Sequence, residues 1–347
     1  MKESKRDFIT GAEVVIKACR DAGADIMYGY PITPTCEILS GWINEGYANL
    51  QTEDEIAAGF GVCGAVLAGQ KAFTASSGPG HILLQDAFAM AEGMRLPFVM
   101  IVGQRGGPSS GTVIYSQQEV MLSCFGGNGE GMRFVYSPSS LNELYSLTRL
   151  AFNDAWKYRF PAVLLTDGYM LKTTGVIEWE KIKDVENAPT FTRLSDGANV
   201  HWPNIYTAEE ELYEEVMVMN KDYKKAASKV AKAEEYLTKD AKILLVAHGI
   251  VAASAKEAIV ELRKKGVKVG LFRPTTLRPF SKKQFDKAAS NKSVKKILVA
   301  ESSLGQLARI VHDEMDPEIC KPFAYLQKPA LGIEIEDIYN FVLKNNK

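Results

Sequence analysis

The sequence has no clustered cysteines, and no C-x-x-C pair occurs anywhere in it. This excludes the usual ligand spacings of a zinc site or an iron–sulfur cluster within the chain. Scattered thiols are typical of a reducing compartment, so we expect a cytoplasmic protein. The histidines show no metal-ligand spacing either, so we expect structural roles for them and no metal bound by this chain. The cysteines are Cys19, Cys36, Cys63, Cys124 and Cys320, and the histidines are His81, His201, His248 and His312.

The 347-residue chain also lacks any long apolar run. No stretch of roughly eighteen apolar residues is present, so no membrane span is expected. The start, MKESKRDFITGAE, is charged and has no signal-peptide core. Lys plus Arg number 41 and Asp plus Glu 42, and this balance favours neither a nucleic-acid partner nor a membrane surface. The length is sufficient for two domains with sizeable cores.

Short apolar runs alternate with helical patterns over residues 1–185. The runs are DIMYGY, QKAFTAS, LPFVMIVGQ, MRFVYSP and PAVLLTDG. Near-continuous apolar strands between helices predict a doubly wound parallel sheet, an α/β domain covered on both faces. A second, smaller α/β domain is predicted over residues 241–347 from AKILLVAHGI, VKVGLFRP and KKILVAE.

Residues 186–240 lack this alternation and are predicted to be a linker followed by one bridging helix. The helix is expected to span about Thr207 to Thr238, with Thr207 and Glu210 as its capping box. A narrow apolar seam predicts packing on the chain's own domain, and an intermolecular coiled coil is the alternative. The seam residues are Leu212, Val216, Met219, Tyr223, Ala226, Val230, Ala233 and Leu237.

Two prolines bracket a threonine in YGYPITPTCE, directly after a predicted strand. Pro31 favours extended backbone at Tyr30 and so closes the strand. Pro34 suits the first position of a helix, which makes Thr33 the predicted N-cap. A helix start beyond the carboxyl end of a parallel strand favours anionic ligands. An ordinary cap without a ligand is the alternative.

Glu55 lies at the entry of a helix of small residues, QTEDEIAAGFGVCGAVLAG. A partly buried carboxylate there would need a partner or a use, although a first-turn acid that satisfies the helix dipole is the alternative. Gly59, Gly61 and Gly64 match the dinucleotide fingerprint only as a string, because acidic residues precede them instead of a strand. We expect these glycines to let one helix approach another closely.

Two further loops follow predicted strands. TASSGPGH contains Ser77 and Gly78, and it could let a ligand lie against backbone or be an ordinary turn. Arg105 follows FVMIVG on the glycine-rich loop GQRGGPSSG. A lone arginine at a strand's carboxyl end suits bidentate binding of a carboxylate, and a surface ion pair is the alternative.

Four motifs, GYPITPTCEI, EDEIAAGFGV, TASSGPG and VGQRGGPSSG, in this order resemble the alpha subunit of 2-oxoacid:ferredoxin oxidoreductases of the 2-oxoglutarate or branched-chain type. KYRFPAVLLTDG and FRPTTLRPF extend the resemblance over nearly the whole chain. It implies a pyrimidine-binding domain of a thiamine enzyme followed by a smaller transketolase-C-terminal-like domain. It also implies that Glu55 binds the aminopyrimidine of thiamine diphosphate, and that Ser77 and Gly78 bind the cofactor as well. Thr33 and Arg105 would bind the substrate carboxylate.

The implied reaction is oxidative decarboxylation of a 2-oxo acid to acyl-CoA and CO2, with coenzyme A as co-substrate and ferredoxin as electron acceptor. A beta subunit would complete the cofactor site and supply Mg²⁺ and a [4Fe–4S] cluster. The chain would be inactive without it. The resemblance leaves room for gamma and delta subunits and implies a dimer of heteromers. A non-redox thiamine decarboxylase or transferase and a non-catalytic partner-binding homologue are the alternatives.

Two departures from the family pattern lie near the expected substrate pocket. Thr35-Cys36 follows YPITP where many relatives have Ser-Ser or Ser-Thr. Gln117-Gln118-Glu119 follows the arginine loop where many have Gln-Gly-Asp. These changes leave the identity of the 2-oxo acid open.

Overall fold

A computed structural model describes residues 6–182, 186–190 and 203–346. Its strands are β1 (Arg6–Thr10), β2 (Ile26–Gly29), β3 (Asn49–Gln51), β4 (Ala72–Ser76), β5 (Val99–Gln104), β6 (Phe134–Tyr136), β7 (Ala162–Asp167), β8 (Thr174–Glu178), β9 (Ala233–Tyr236), β10 (Ile243–Val246), β11 (Val269–Pro274), β12 (Thr276–Arg278), β13 (Lys296–Glu301) and β14 (Phe323–Gln327).

The helices are α1 (Gly11–Asp21), α2 (Cys36–Asn44), α3 (Glu55–Leu67), α4 (Pro79–Leu83), α5 (Gln85–Gly93), α6 (Val120–Phe125), α7 (Leu141–Tyr158), α8 (Gly168–Lys172), α9 (Glu209–Val230), α10 (Gly249–Lys264), α11 (Lys282–Ala289), α12 (Gln306–Glu314) and α13 (Ile335–Asn345). No helix in these described stretches combines the length and apolar character needed to cross a membrane.

The larger sheet has the strand order β12-β6-β7-β5-β4-β2-β3, and its pairs are parallel except β12 with β6. Alternate residues of β4 and β5 enter different cores. Phe73 and Ile101 pack with α1, α2 and α7, whereas Ala72 and Met100 pack with α3 and α5. Burial on both faces explains why these strands are near-continuous apolar runs. The predicted doubly wound parallel sheet is confirmed.

The smaller sheet has the order β14-β13-β10-β11-β9, parallel except for β9. One face packs on α10 and α13. The other face packs on α11 and α12, and its core is continuous with the α3–α5 side of the larger sheet. Strand β12, from the second half of the chain, pairs with β6 at the edge of the larger sheet. A short antiparallel pair, β1 with β8, stands apart from both sheets. The domain boundaries at 185 and 240 stay a prediction.

The predicted bridging helix is shorter than the apolar seam suggested. Helix α9 ends at Val230, and its N-cap is Ala208 without a side-chain cap bond, so both the end near Thr238 and the Thr207 capping box are wrong. Beyond Val230 the chain forms β9, which pairs with the edge of β11. Glu234 on β9 forms ion pairs with Arg273 and with Lys256. Tertiary strand pairing therefore overrides the local helical pattern.

The middle of the seam, from Met219 to Val230, packs on this chain, whereas Leu237 at its end is exposed. Tyr223 stacks against Phe134 with ring centroids 5.8 Å apart, and its hydroxyl donates to the Arg133 carbonyl. Leu212, near the start of the helix, is 48% exposed. Part of the predicted linker, including His201, lies outside the described residues.

The glycines of α3 differ in what surrounds them. A Cβ at Gly59 would lie 2.7 Å from Ala87 Cβ and 3.0 Å from Leu84 Cδ2, and a Cβ at Gly61 would meet the Tyr28 ring. A Cβ at Gly64 would meet nothing within 4 Å. The expected close approach of helices is therefore confirmed at Gly59, while Gly61 faces a ring on β2 and Gly64 is open.

We expect Gly59→Ala to destabilise the chain by about 1–3 kcal/mol, because the added methyl overpacks the contact with α5. Gly64→Ala is the matched control in the same helix. It should stabilise by about 0.5–1 kcal/mol, because alanine favours helix and the site is open. Urea unfolding of both variants and the parent measures the difference. Equal destabilisation by the two substitutions would contradict the packing at Gly59.

Candidate active site

Two loops meet at the carboxyl edge of the larger sheet. Strand β4 ends at Ser76 and leads through Ser77 and Gly78 into α4, while β5 ends at Gln104 and is followed by Arg105. These strands are parallel neighbours, so both loops leave the sheet on the same side. Gly78 has φ +51°, and a Cβ there would lie 2.5 Å from Arg105 Nε. Only glycine leaves room for the guanidinium.

Arg105 is 6% exposed and forms no ion pair within the described residues. Its Nη1 donates to the Thr33 carbonyl oxygen at 2.7 Å. Its Nε is buried without a hydrogen-bond partner among the residues described. The alternative of a surface ion pair is therefore wrong. The guanidinium lines a cavity of about 120 Å³, whose walls are Gly78, Ile82, Arg105, Gly107, Pro108, Ser109, Gln118, Glu119 and Leu122.

Thr33 is not the N-cap that the prolines predicted. Helix α2 begins at Cys36, and its N-cap is Thr35, which makes no side-chain cap bond. The Thr33–Pro34 peptide is cis. Cβ atoms built on Gly103 and Gly168 would lie 2.9 Å from ring atoms of Pro34, so the ring packs on the ends of β5 and β7 instead of opening the helix. The structure nevertheless brings Thr33 to Arg105.

Glu55 is the first residue of α3, but Asp54 caps the helix by accepting from Ala57 N at 2.8 Å. Glu55 itself is 5% exposed and forms no ion pair among residues that the structure describes. Burial raises the pKa of its carboxyl, an effect that the more distant Arg105 partly opposes. A solvated first-turn acid would show no such desolvation. Glu55 is a buried acid at the edge of the sheet where Arg105 also lies.

The Ser76 hydroxyl and the backbone of Gly80 lie beside the Glu55 carboxylate. A Cβ at Gly80 would lie 2.1 Å from Glu55 Oε1 and 2.4 Å from Ser76 Oγ. The hydroxyls of Ser76 and Ser77 are buried without a hydrogen-bond partner in the part of the chain described. Buried hydroxyls normally have a partner, so this cluster has capacity for an additional polar group.

Glu119 connects the two loops. Its carboxylate is buried and accepts from Gly78 N at 3.0 Å and from Arg105 N at 2.9 Å. His81 Nδ1 lies 2.7 Å from Glu119 Oε2. The sequence pattern marked Glu119 only as a departure near the pocket and did not indicate this role. An acid directly after two glutamines and before a helix was the only local signal.

The other described histidines also have protein partners. His248 Nδ1 lies 2.9 Å from Ser137 Oγ, and burial lowers the pKa of His248 to about 3. His312 Nε2 lies 2.7 Å from Tyr325 Oη. No group of three or more His, Cys, Asp or Glu in the described ranges is arranged to hold a metal ion.

Comparison with known proteins identifies the family. Residues 17–241 match the pyruvate flavodoxin/ferredoxin oxidoreductase family model for its thiamine diphosphate-binding domain. The chain belongs to this family. Residues 241–330 match core domain II of pyruvate:ferredoxin oxidoreductase. The family predicted from the motifs is thus confirmed, and the larger α/β unit is a thiamine diphosphate-binding domain of an oxidoreductase.

Relatives of this family are similar over most of their length. The chain is 33% identical to 2-oxoglutarate synthase subunit KorA of Methanocaldococcus jannaschii, covering 87% of this chain and 90% of that protein. It is 34% identical to ketoisovalerate oxidoreductase subunit VorB of Methanothermobacter marburgensis, covering 86% and 87% respectively. Both relatives are named as subunits, so the present chain is of a type found in multi-subunit enzymes.

A solved structure has the same fold. The chain aligns over its whole length with 66% of a chain of 2-oxoglutarate:ferredoxin oxidoreductase from Magnetococcus marinus, a structure with 2-oxoglutarate, coenzyme A and succinyl-CoA bound. The TM-score is 0.88 and the sequence identity is 24%. This likeness shows that the family fold extends over both α/β units.

We expect Glu55→Gln to stabilise the isolated chain at pH 7.5 by about 1 kcal/mol, because it removes an ionised carboxylate that lacks an ion partner. Burial raises the folded-state pKa of Glu55 above the unfolded value, so ionisation costs stability. This cost is absent below the unfolded pKa of about 4.3 and is complete above the folded pKa. The stabilisation should therefore disappear near pH 4.

Chemical unfolding at pH 7.5 and pH 4 measures this difference. Glu53→Gln, at an exposed acid two residues earlier, is the matched control and should change stability at neither pH. A Glu55→Gln variant with unchanged or lower stability at pH 7.5 would contradict the burial argument.

Proposed function

We propose that this chain is the alpha subunit of a thiamine diphosphate-dependent 2-oxoacid:ferredoxin oxidoreductase. In the balanced reaction, a 2-oxo acid, coenzyme A and two oxidised ferredoxins give acyl-CoA, CO2, a proton and two reduced ferredoxins. The C1–C2 bond of the acid breaks and a thioester forms. The observation that carries the proposal is the buried Arg105, with an unpartnered Nε, at the same sheet edge as the buried Glu55.

The polar cluster around Glu55 fits the aminopyrimidine of thiamine diphosphate. When bound, this cofactor supplies an electron sink for decarboxylation. Glu55 would hold the pyrimidine ring. The hydroxyls of Ser76 and Ser77, which have no hydrogen-bond partner among the described residues, would bind further polar atoms. Burial raises the pKa of Glu55, and a carboxyl placed beside a ring nitrogen can exchange a proton with it. Gly78 and Gly80 keep the adjoining backbone clear of side chains.

Arg105 and Thr33 are proposed to bind the carboxylate of the 2-oxo acid. Arg105 Nη1 is fixed by the Thr33 carbonyl, which leaves Nε and the other amino group for a ligand. A guanidinium held in this way offers parallel donors that match a carboxylate, and little ordering remains to be done on binding. The named relatives act on different 2-oxo acids, so we propose the 2-oxoglutarate or branched-chain class without choosing between them.

A beta subunit is proposed to cover the apolar face beside Glu55. Ile56 and Phe60 lie on one face of α3, and Ile82 and Leu83 lie on the adjacent α4. These four side chains are between 38% and 55% exposed. A contiguous exposed apolar patch beside a polar site is typical of a protein interface. We propose that the beta subunit brings Mg²⁺ and the [4Fe–4S] cluster, and that the complex is a cytoplasmic dimer of heteromers.

We expect the isolated chain to show neither iron absorption nor 2-oxo-acid-dependent viologen reduction. The complex with its beta subunit, loaded with thiamine diphosphate and Mg²⁺, should reduce viologen when a 2-oxo acid and coenzyme A are both added. The assay should survey 2-oxo acids, with succinyl-CoA or branched acyl-CoA as the measured product. Release of an aldehyde without viologen reduction would instead support a non-redox decarboxylase, and an inactive loaded complex would support a non-catalytic homologue.

Substitution of the proposed carboxylate site should separate Arg105 from Thr33. Arg105→Ala should lower kcat/KM by a factor that corresponds to about 3 kcal/mol or more of lost transition-state stabilisation, because a charged donor pair is lost. Thr33→Ala should cost only about 1 kcal/mol, since the carbonyl that fixes Arg105 remains. Arg105→Lys should recover part of the loss, because an ammonium keeps the charge without the fork.

Steady-state viologen reduction by reconstituted complexes of equal cofactor content is the measurement. Arg20→Ala is the control, because Arg20 bonds Tyr47 and lies in the last turn of α1, which precedes the start of β2, whereas the site loops follow strand ends. It should leave kinetics unchanged. Wild-type kinetics of Arg105→Ala on the best substrate would exclude Arg105 from carboxylate binding.

A further inference from the structure

The segment Ser116–Glu119 lies between the two α/β units, and three of its residues, Ser116, Gln117 and Glu119, are buried. Gln117 bonds to the strand ends of the smaller sheet. Its backbone N–H donates to the Ser302 carbonyl at 3.0 Å, and its side-chain oxygen accepts from Ser302 N at 3.1 Å. Its side-chain nitrogen donates to the His248 carbonyl at 2.9 Å. The smaller unit therefore holds this segment through both the backbone and the side chain of Gln117.

Gln306, at the start of α12, adds a second attachment. Its side-chain nitrogen donates to the Gln118 carbonyl at 2.7 Å, and its side-chain oxygen accepts from Met121 N at 2.9 Å. These two bonds flank Glu119 along the chain. The backbone on both sides of Glu119 is thus held by one side chain of the smaller unit.

Glu119 in turn holds the loops of the proposed substrate site. Its carboxylate accepts the backbone N–H groups of Gly78 and Arg105, which belong to different loops. The guanidinium of Arg105 packs tightly on Gly78, since a Cβ built on Gly78 would lie only 2.5 Å from Arg105 Nε. A small shift of either loop would therefore move the guanidinium. No side-chain bond from Glu119 to the Arg105 guanidinium is present in the described structure. Glu119 also lines the cavity beside Arg105. A carboxylate does not attract a substrate carboxylate, so we expect Glu119 to act on substrate binding through the position of Arg105.

We propose that Glu119 is a positioning residue for Arg105, and that the smaller α/β unit sets its place through Gln306 and Ser302. The inference rests on the proposed role of Arg105 in binding the 2-oxo acid. Displacing Glu119 should weaken substrate binding more than it slows turnover, because Glu55, which would hold the pyrimidine ring, makes no bond to Glu119 in the described structure. The smaller unit thereby contributes to a substrate site whose described cavity walls belong to the larger unit.

Variants at Glu119 test the positioning role in the reconstituted, cofactor-loaded complex. Glu119→Ala should raise KM for the 2-oxo acid by about 10-fold or more, with kcat within about 3-fold. Glu119→Gln should recover most of the loss. Its amide oxygen can accept from Gly78 and Arg105, and its amide nitrogen can donate to Nδ1 of His81 in the other tautomer. Equal loss in the two variants would overturn the proposal.

Two glutamines of the smaller unit, substituted one at a time, test the role of that unit. Gln306→Ala should raise KM by about 3- to 10-fold, because the backbone flanking Glu119 loses two bonds. Gln284→Ala is the matched control in the same unit, since Gln284 bonds the Ala233 carbonyl and Glu235 but not the Ser116–Glu119 segment. It should lose comparable thermal stability without a change in KM. A Gln306→Ala complex with wild-type KM would overturn the link to the smaller unit.

The double variant of Glu119→Ala with Arg105→Ala separates positioning from a general loss of stability. If Glu119 acts through Arg105, the double variant should be no worse than Arg105→Ala alone. Additive losses would overturn the proposal. If Arg105→Ala itself leaves KM unchanged, the proposed function fails instead. Thermal denaturation and thiamine diphosphate content of each complex show that the compared variants are folded and loaded.

Discussion

The parallel pairing of β4 with β2 and β5 is the constraint on which the candidate site depends. Parallel neighbours end at the same edge of a sheet, so residues far apart in sequence leave the strands side by side. Thr33, Gly78 and Arg105 come together for this reason. Burial of both faces of the sheet holds the strands in register, and Glu119 joins two of the loops that follow them. A chemical site can therefore be built from short turns of small residues.

The site contains polar groups that the fold leaves unsatisfied. Ser76 Oγ, Ser77 Oγ and Arg105 Nε are buried without partners in the described residues, and Glu55 is a buried carboxyl with a raised pKa. Such groups destabilise a folded chain. The buried Arg133, by contrast, forms an ion pair with Glu92. We propose that the unpartnered groups beside Glu55 and Arg105 bind a ligand.

The two α/β units are packed as parts of one structure. The two units share an apolar core. Strand β12, from the second half of the chain, pairs with β6 at the edge of the larger sheet, and the buried Gln117 bonds the His248 carbonyl of the smaller unit. Family membership explains why the two units occur together in one chain. The hydrogen bonds from Ser302 and Gln306 give the smaller unit a specific mechanical connection to the loops beside Arg105.

The sequence by itself determined the sheet, its strand–helix alternation, the family and the identity of Glu55 and Arg105 as unusual polar residues. These features are local, because apolar periodicity and loop composition can be read within a few residues. The conformation around Thr33, the end of α9 at Val230 and the role of Glu119 were decided only by tertiary structure. Pro34 packs on two strand ends, β9 pairs with β11, and Glu119 accepts bonds from two separate loops. Each depends on partners distant in sequence, and a local pattern carries no record of which distant group will satisfy a given backbone or side-chain atom.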